Sequence, residues 1–213
     1  MPRLTRQDIA DLKQLLVQWQ SPEAMSRLSG DAMDQLGSTD FFSQGGLAIL
    51  RDAWIASEFS LIRQATKVRL IADSWPDFEL KIDGRIEAFE AVEADNPQRR
   101  RGDEYRRRNG AIQHDPAEDW VARAEQAPFW IETACRKKVD KRYGARANLI
   151  IYLNLSEYGI RQKEVETTFA SKTAIAKDSF DSVWILWKKQ AYLVWNNGTL
   201  TMQTAQPEAG RIG

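Results

Sequence analysis

The chain has 213 residues, 43% of them hydrophobic and 28% charged, with a formal net charge of zero. This is the mixture of a globular domain of ordinary size, and the zero balance excludes polyanion binding by overall charge alone. A single cysteine, Cys135, excludes an internal disulfide framework and a cysteine-rich zinc site.

The opening MPRLTRQD lacks the apolar stretch of a secretory signal. The longest apolar run, ANLIIYLNL, is too short to span a bilayer. A cytoplasmic protein with no membrane partner is the expectation. Thr5 with Asp8 three residues on is a form of capping box, and Ile9, Leu12, Leu15, Leu16 and Trp19 follow at helical spacing. Ser21-Pro22-Glu23 restarts a second helix that carries Met25, Leu28, Met33 and Leu36, with a break expected at Gly30 and a stop at Gly37. Residues 1–44 therefore read as an N-terminal helical hairpin. Two placements stay open for it: packed beside the main domain, or a partner-binding arm through which the chain forms a homo-oligomer.

The main domain is expected over residues 45–205. Gly45-Gly46 leads into a helix over 47–64 whose apolar stripe is Leu47, Leu50, Trp54 and Ile62. Glu58 falls in that stripe, where a carboxylate is costly unless it lies at the edge, meets an arginine or holds a metal. A first strand is expected over 67–72. Phe78, Leu80 and Ile82 then alternate with charged residues as a second strand, Asp83-Gly84 turns, and a third strand runs over 86–92. From Asp73 to Asp95 there are eight carboxylates against Lys81 and Arg85. That density suits either a solvated outer face or a site for a hard divalent cation.

From Asn96 to Ala127 no period is visible. Arg99, Arg100, Arg101, Arg106, Arg107 and Arg108 cluster there with Tyr105, as a solvated loop or as a basic arm for phosphates. Pro128 is expected to open a helix reaching Tyr143, with Ile131, Ala134, Cys135, Lys138 and Val139 on one face and Gly144 as its stop. Lys138 is an ammonium on an otherwise apolar stripe, where the bland outcome is snorkelling toward solvent along its own stem. Asn148 to Leu155 reads as a strand covered on both faces. A helix is expected over 162–170, strands over 182–187 and 191–195, an Asn-Asn-Gly turn, a last strand over 199–204, and a loose polar tail over 206–213.

The motifs of nucleotide cradles, serine hydrolases and zinc proteases are missing from the sequence, and His114 is the one histidine. Carboxylates and lysine remain. Helix, strand, Pro76-Asp77 at the mouth of a second strand, a hairpin, and Glu90-Ala91-Val92 on a third strand resemble the PD-(D/E)XK superfamily of restriction-endonuclease-like nucleases. The resemblance spans 47–195. It implies an α/β fold with a mixed central sheet flanked by helices, and an Mg²⁺- or Mn²⁺-dependent nuclease acting on nucleic acid, DNA first. It makes Asp77 and Glu90 metal ligands, with Glu58 as the helical acid. Val92 stands where the family has its lysine. The resemblance then leaves two outcomes: an inactive binding or interaction module, or an ammonium supplied from elsewhere, by Lys138 first and Lys81 second. Asp77, Glu90 and Lys138 are the expected catalytic residues. Glu93 and Asp95 are an alternative ligand pair on the opposite strand face from Glu90.

Overall fold

The computed structural model describes residues 5–43, 48–72, 75–96, 117–143, 146–155, 159 and 161–207. Among them are five α-helices and seven strands, a mixed α/β fold. In chain order these are α1 (Arg6–Leu16), α2 (Pro22–Ser43), α3 (Ala48–Ile62), β1 (Lys67–Leu70), β2 (Phe78–Ile82), β3 (Arg85–Ala94), α4 (Ala117–Val139), β4 (Asn148–Leu153), α5 (Gln162–Thr173), β5 (Ser182–Trp187), β6 (Gln190–Asn196) and β7 (Thr199–Ala205). The strands follow one another in the sheet in chain order. The chain divides into two compact units, the first holding the described residues up to Ala88 and the second those from Phe89 onward.

In the first unit Thr5 caps α1 as expected. Its hydroxyl accepts from the Asp8 N–H at 3.2 Å and its own N–H donates to the Asp8 carboxylate at 2.7 Å. The Thr5 hydroxyl also donates to the Asp8 carboxylate at 2.7 Å, and this bond first, with that from the Thr5 N–H, holds the Asp8 carboxyl below its usual range. The segment after α1 joins the strand system: Gln20 and Val68 exchange both backbone hydrogen bonds at 2.9 Å. Helix α2 runs through Gly30 and past Gly37, where a break and a stop were expected. A single glycine weakens a helix by about 1 kcal/mol, too little to end one that Met25 and Ala32 bury. On α3 the buried positions are Leu50, Ala53, Ile55, Ala56, Ser57, Phe59, Ser60 and Ile62, while Trp54 and Glu58 are half-buried. Of the expected stripe, Leu50 and Ile62 are buried and Trp54 is not; Leu47 lies outside the described residues. Strand β1 pairs antiparallel with β2, placing Arg69 opposite Glu79. Asp83 and Gly84 turn at φ 49° and 78°, the left-handed pair that a two-residue hairpin needs.

In the second unit β3 and β4 pair in parallel, as do β4 and β5, and β5–β6 and β6–β7 are antiparallel. All six residues of β5 are buried. One sheet face carries Val92, Leu149, Ile151, Val183, Ile185 and Val194 into a core shared with α4 and α5. Helix α4 begins at Ala117, eleven residues before the expected start, with Pro128 inside it. An interior proline loses one hydrogen bond and costs about 3 kcal/mol. Burial of Ala124, Ala127, Trp130 and Ile131, at helical steps across the proline, offsets that cost. The helix also stops at Val139, short of Tyr143. The last N–H groups tighten to i−3 acceptors, Lys141 to Lys138 and Arg142 to Val139, and Arg142 itself adopts a positive φ of 48°.

Candidate functional site: a buried carboxylate and its donors

Strand parity and helix spacing together build this site. On β3, Glu90 shares its face with Val92, and Val92 packs in the core under α4. On α4, Ile131, Ala134 and Cys135 are buried, and Lys138 follows one turn later on the same face. The two charged side chains are thereby brought together. Glu90 is 1% exposed and Lys138 is 7% exposed. The Lys138 ammonium donates to Glu90 Oε1, and the Tyr143 hydroxyl donates to the same oxygen. The Lys141 ammonium lies 3.9 Å from it. Glu90 Oε2 is buried and has no hydrogen-bond partner among the described residues.

Two hydrogen bonds and a more distant ammonium thus converge on one carboxylate oxygen while the other stays bare. A buried carboxylate normally satisfies both oxygens, because an unmet charged acceptor retains most of its desolvation cost. Tyr143 is itself held in place. Its ring meets Phe180 edge-on at 6.4 Å between centroids, and the Lys141 ammonium lies 5.6 Å from its centre.

Of the other acids and cations singled out in the sequence, Glu58, Asp77 and Lys81 belong to the first unit. Asp77 is half-buried just before β2, and its carbonyl accepts from the Ile71 N–H at 3.1 Å. Glu58 is half-buried on α3, and Lys81 is exposed opposite Lys67. Glu93 and Asp95 are half-buried in the second unit, where the Asn154 side-chain amide donates to Glu93 at 2.5 Å. Arg99, Arg100, Arg101, Arg106, Arg107, Arg108, Tyr105 and His114 lie outside the described residues. Among the described residues no group of three or more His, Cys, Asp or Glu is placed to hold a metal ion. Also among them, no helix is long and apolar enough to cross a membrane.

Tyr143 and Lys141 are side chains of this cluster that the sequence reading did not single out. Both lie beyond the end of α4, so helical periodicity carries no information about them. The signal available was a run of hydrogen-bonding groups, Lys138, Lys141 and Tyr143, closing an apolar helix. Burial pushes the Cys135 thiol up to about 12, which with its position in the core makes it an inert packing residue.

Comparison with protein-family models, with curated proteins and with solved structures returns no match.

Proposed function

We propose that the chain is a metal-dependent nuclease of restriction-endonuclease-like fold, hydrolysing phosphodiesters in nucleic acid, DNA first. The observation that carries this reading is the Glu90–Lys138 pair. The family resemblance asks for a lysine beside the acid of the third strand, and Val92 cannot supply one. In this chain an ammonium from α4 sits on that acid. The succession α3, β1, β2, β3, α4, β4 also follows the order on which the resemblance rests.

Glu90 fits a role at a hard cation through Oε2, a buried oxygen with no donor of its own. Mg²⁺ takes one or two carboxylates and keeps much of its water. The resemblance assigns Asp77 and Glu58 as the further ligands. A bound divalent cation supplies a water of lowered pKa and neutralises charge on the phosphate. The chain's own residues do the rest. Lys138 and Tyr143 fix the Glu90 carboxylate through Oε1, and Lys138 brings a positive charge next to it, where a phosphate gains negative charge in the transition state.

The test is incubation of the full chain with plasmid and single-stranded DNA in Mg²⁺ or Mn²⁺, beside Glu90→Gln, Asp77→Asn and Lys138→Met. Cleavage by the wild type and loss of at least a hundredfold in each variant is expected. Cleavage that survives Glu90→Gln, or a wild type inert in both metals, overturns the reading.

A second reading is a catalytically inactive chain of the same fold that serves as a nucleic-acid-binding or interaction module. Val92 favours it, since it is 7% exposed and packs in the core rather than facing a substrate. So does the lack of a three-acid cluster among the described residues. Binding of DNA without cleavage in either metal is its signature. In both readings α1 and α2 stand as the N-terminal hairpin, with self-association through them tested by light scattering of the full chain.

A further inference from the structure

Beside the Glu90–Lys138 pair lies a cleft of about 480 Å³, within the range that small ligands fill. Its lining comes from the end of α4 and the chain just beyond it (Lys138, Arg142, Tyr143, Arg146), and from the Asp178–Phe180 turn across from it. Lys138 and Tyr143, the two side chains that grip Glu90 Oε1, form part of its wall.

The two arginines differ in how they are held. Arg146 is anchored: its Nη2 donates to the Asp178 carbonyl at 2.9 Å, and its Nε lies 3.7 Å from Asp181 Oδ1. The Arg142 guanidinium is exposed and makes no hydrogen bond or ion pair among the described residues. Arg142 also sits at φ 48°, just past a helix end, where glycine is the favoured residue. A side chain with a long guanidinium is kept at a position whose backbone disfavours it, and it faces a polar cleft. The cleft is too polar for an apolar ligand: the one uncommitted strong donor fork in it is Arg142, with Ser179 in the turn across from it. A guanidinium fork matches phosphate oxygens in pairs. Asp140 and Asp178 also line it and keep the attraction modest, which suits one phosphate rather than a polyphosphate.

We propose that this cleft receives a single phosphodiester group of a nucleic-acid strand, held by Arg142 with Arg146 and Ser179, and that it does so without a metal. The inference goes beyond hydrolysis, because it holds whether or not Glu90 takes part in chemistry.

The test is fluorescence anisotropy of a labelled single-stranded oligodeoxynucleotide with the full chain in EDTA, over a salt series. Arg142→Gly removes the guanidinium while accepting the positive φ, so the backbone turn is retained. It is expected to weaken binding about tenfold at low salt and to reduce the slope of log K against log salt by about 0.7, the loss of one phosphate contact. Arg142→Lys keeps the charge and is expected to keep the slope. A methylphosphonate strand of the same sequence, which has no backbone charge, is expected to bind the wild type and Arg142→Gly equally and weakly. Contacts made by other basic segments leave the Arg142 difference intact. The proposal is overturned if Arg142→Gly binds with wild-type affinity and slope, if the neutral strand binds as tightly as the charged one, if an acidic peptide competes as well as inorganic phosphate, or if no binding occurs in EDTA. Loss of cleavage in Glu90→Gln with metal-free binding intact would uphold both readings, and each can fail alone.

Discussion

Replacing Lys138 with methionine keeps the length and apolar stem of the side chain and removes its charge. What remains is a Glu90 carboxylate that is 1% exposed, with Tyr143 as its main donor. Breaking a buried pair from one side costs about 3–5 kcal/mol, because the surviving charge stays out of water. In a chain of this size each kcal/mol shifts the melting temperature by roughly 2–4 °C, so a fall of roughly 6–20 °C is expected. Tyr143→Phe removes one hydrogen bond to the same charge and is expected to cost about 1.5–3 kcal/mol. Lys141 is the internal control. Its side chain is 48% exposed, its ammonium is 3.9 Å from Glu90, and Lys141→Ala is expected to cost under about 1 kcal/mol. Replacing the whole cluster by Glu90→Leu, Lys138→Met and Tyr143→Phe together removes every buried charge at once, and is expected to be neutral or stabilising by about 1–4 kcal/mol. The assay is urea unfolding by circular dichroism, with the Glu90–Lys138 coupling taken from a double-mutant cycle. A Lys138→Met cost below about 1 kcal/mol, or a coupling near zero, refutes the claim that this pair is buried and interdependent.

Gly30→Ala is expected to stabilise by about 0.5–1 kcal/mol in thermal unfolding, since Gly30 lies inside α2 and an added Cβ meets nothing within 4 Å. Lys189→Gly is expected to stabilise by up to about 1 kcal/mol, because Lys189 turns the β5–β6 hairpin at φ 59°, a conformation that strains any residue with a Cβ. The Cys135 thiol is expected to resist thiol reagents until the chain unfolds. Its raised value means that the fold favours the neutral thiol, so this contribution is present below 9.0 and is lost as pH rises toward about 12; Cys135→Ala should flatten that alkaline fall. On the acid side, the Lys172 hydrogen bond holds Glu132 below 4.5, so its contribution is present above that value and lost as pH falls through the lowered one; Lys172→Met should make the acid limb of a pH–stability curve shallower.

The second half of the chain was legible because local and tertiary signals agree there. Val183–Trp187 is an unbroken apolar run and lies in a strand buried along its whole length, and Asn197-Gly198 turns at φ 47° and 75° as its letters suggest. Helix α4 was half missed for the opposite reason. Pro128 reads locally as a start, yet Trp120, Ala124, Ala127 and Ile131 continue the helical step across it. A pattern that crosses a breaker is visible only when the burial on both sides is weighed against about 3 kcal/mol. On α3 the expected stripe held at Leu50 and Ile62, which are buried, and failed at Trp54, which is half-buried. Two small residues, Ala53 and Ala56, mark the face that packs closely, and small residues carry little weight in a hydrophobic pattern.

The site was legible where it depended on period and illegible where it depended on the end of an element. Lys138 stood out as a charge on an apolar face at the helix step of about 3.6, and Glu90 was singled out by the resemblance alone; the structure puts Glu90 on the buried face of Val92, at the strand step of two. Two such violations in elements that flank one core have a common resolution, which is to meet each other, because separately each would cost more than packing can offset. The same logic does not reach Tyr143 or Arg142, which follow the last turn of α4, where no repeat constrains the side chain. Chemistry can nevertheless be sought there: residues past a helix end are free of the packing rule that fixes the residues before it. Arg142 keeps a left-handed backbone without being glycine, and Tyr143 spends its hydroxyl on a carboxylate that already has an ammonium. If those two positions serve only to end the helix, Arg142→Gly should be the better sequence in every respect. An Arg142→Gly chain that melts higher yet binds a charged strand less tightly would separate the demands of the fold from those of the ligand at a single residue.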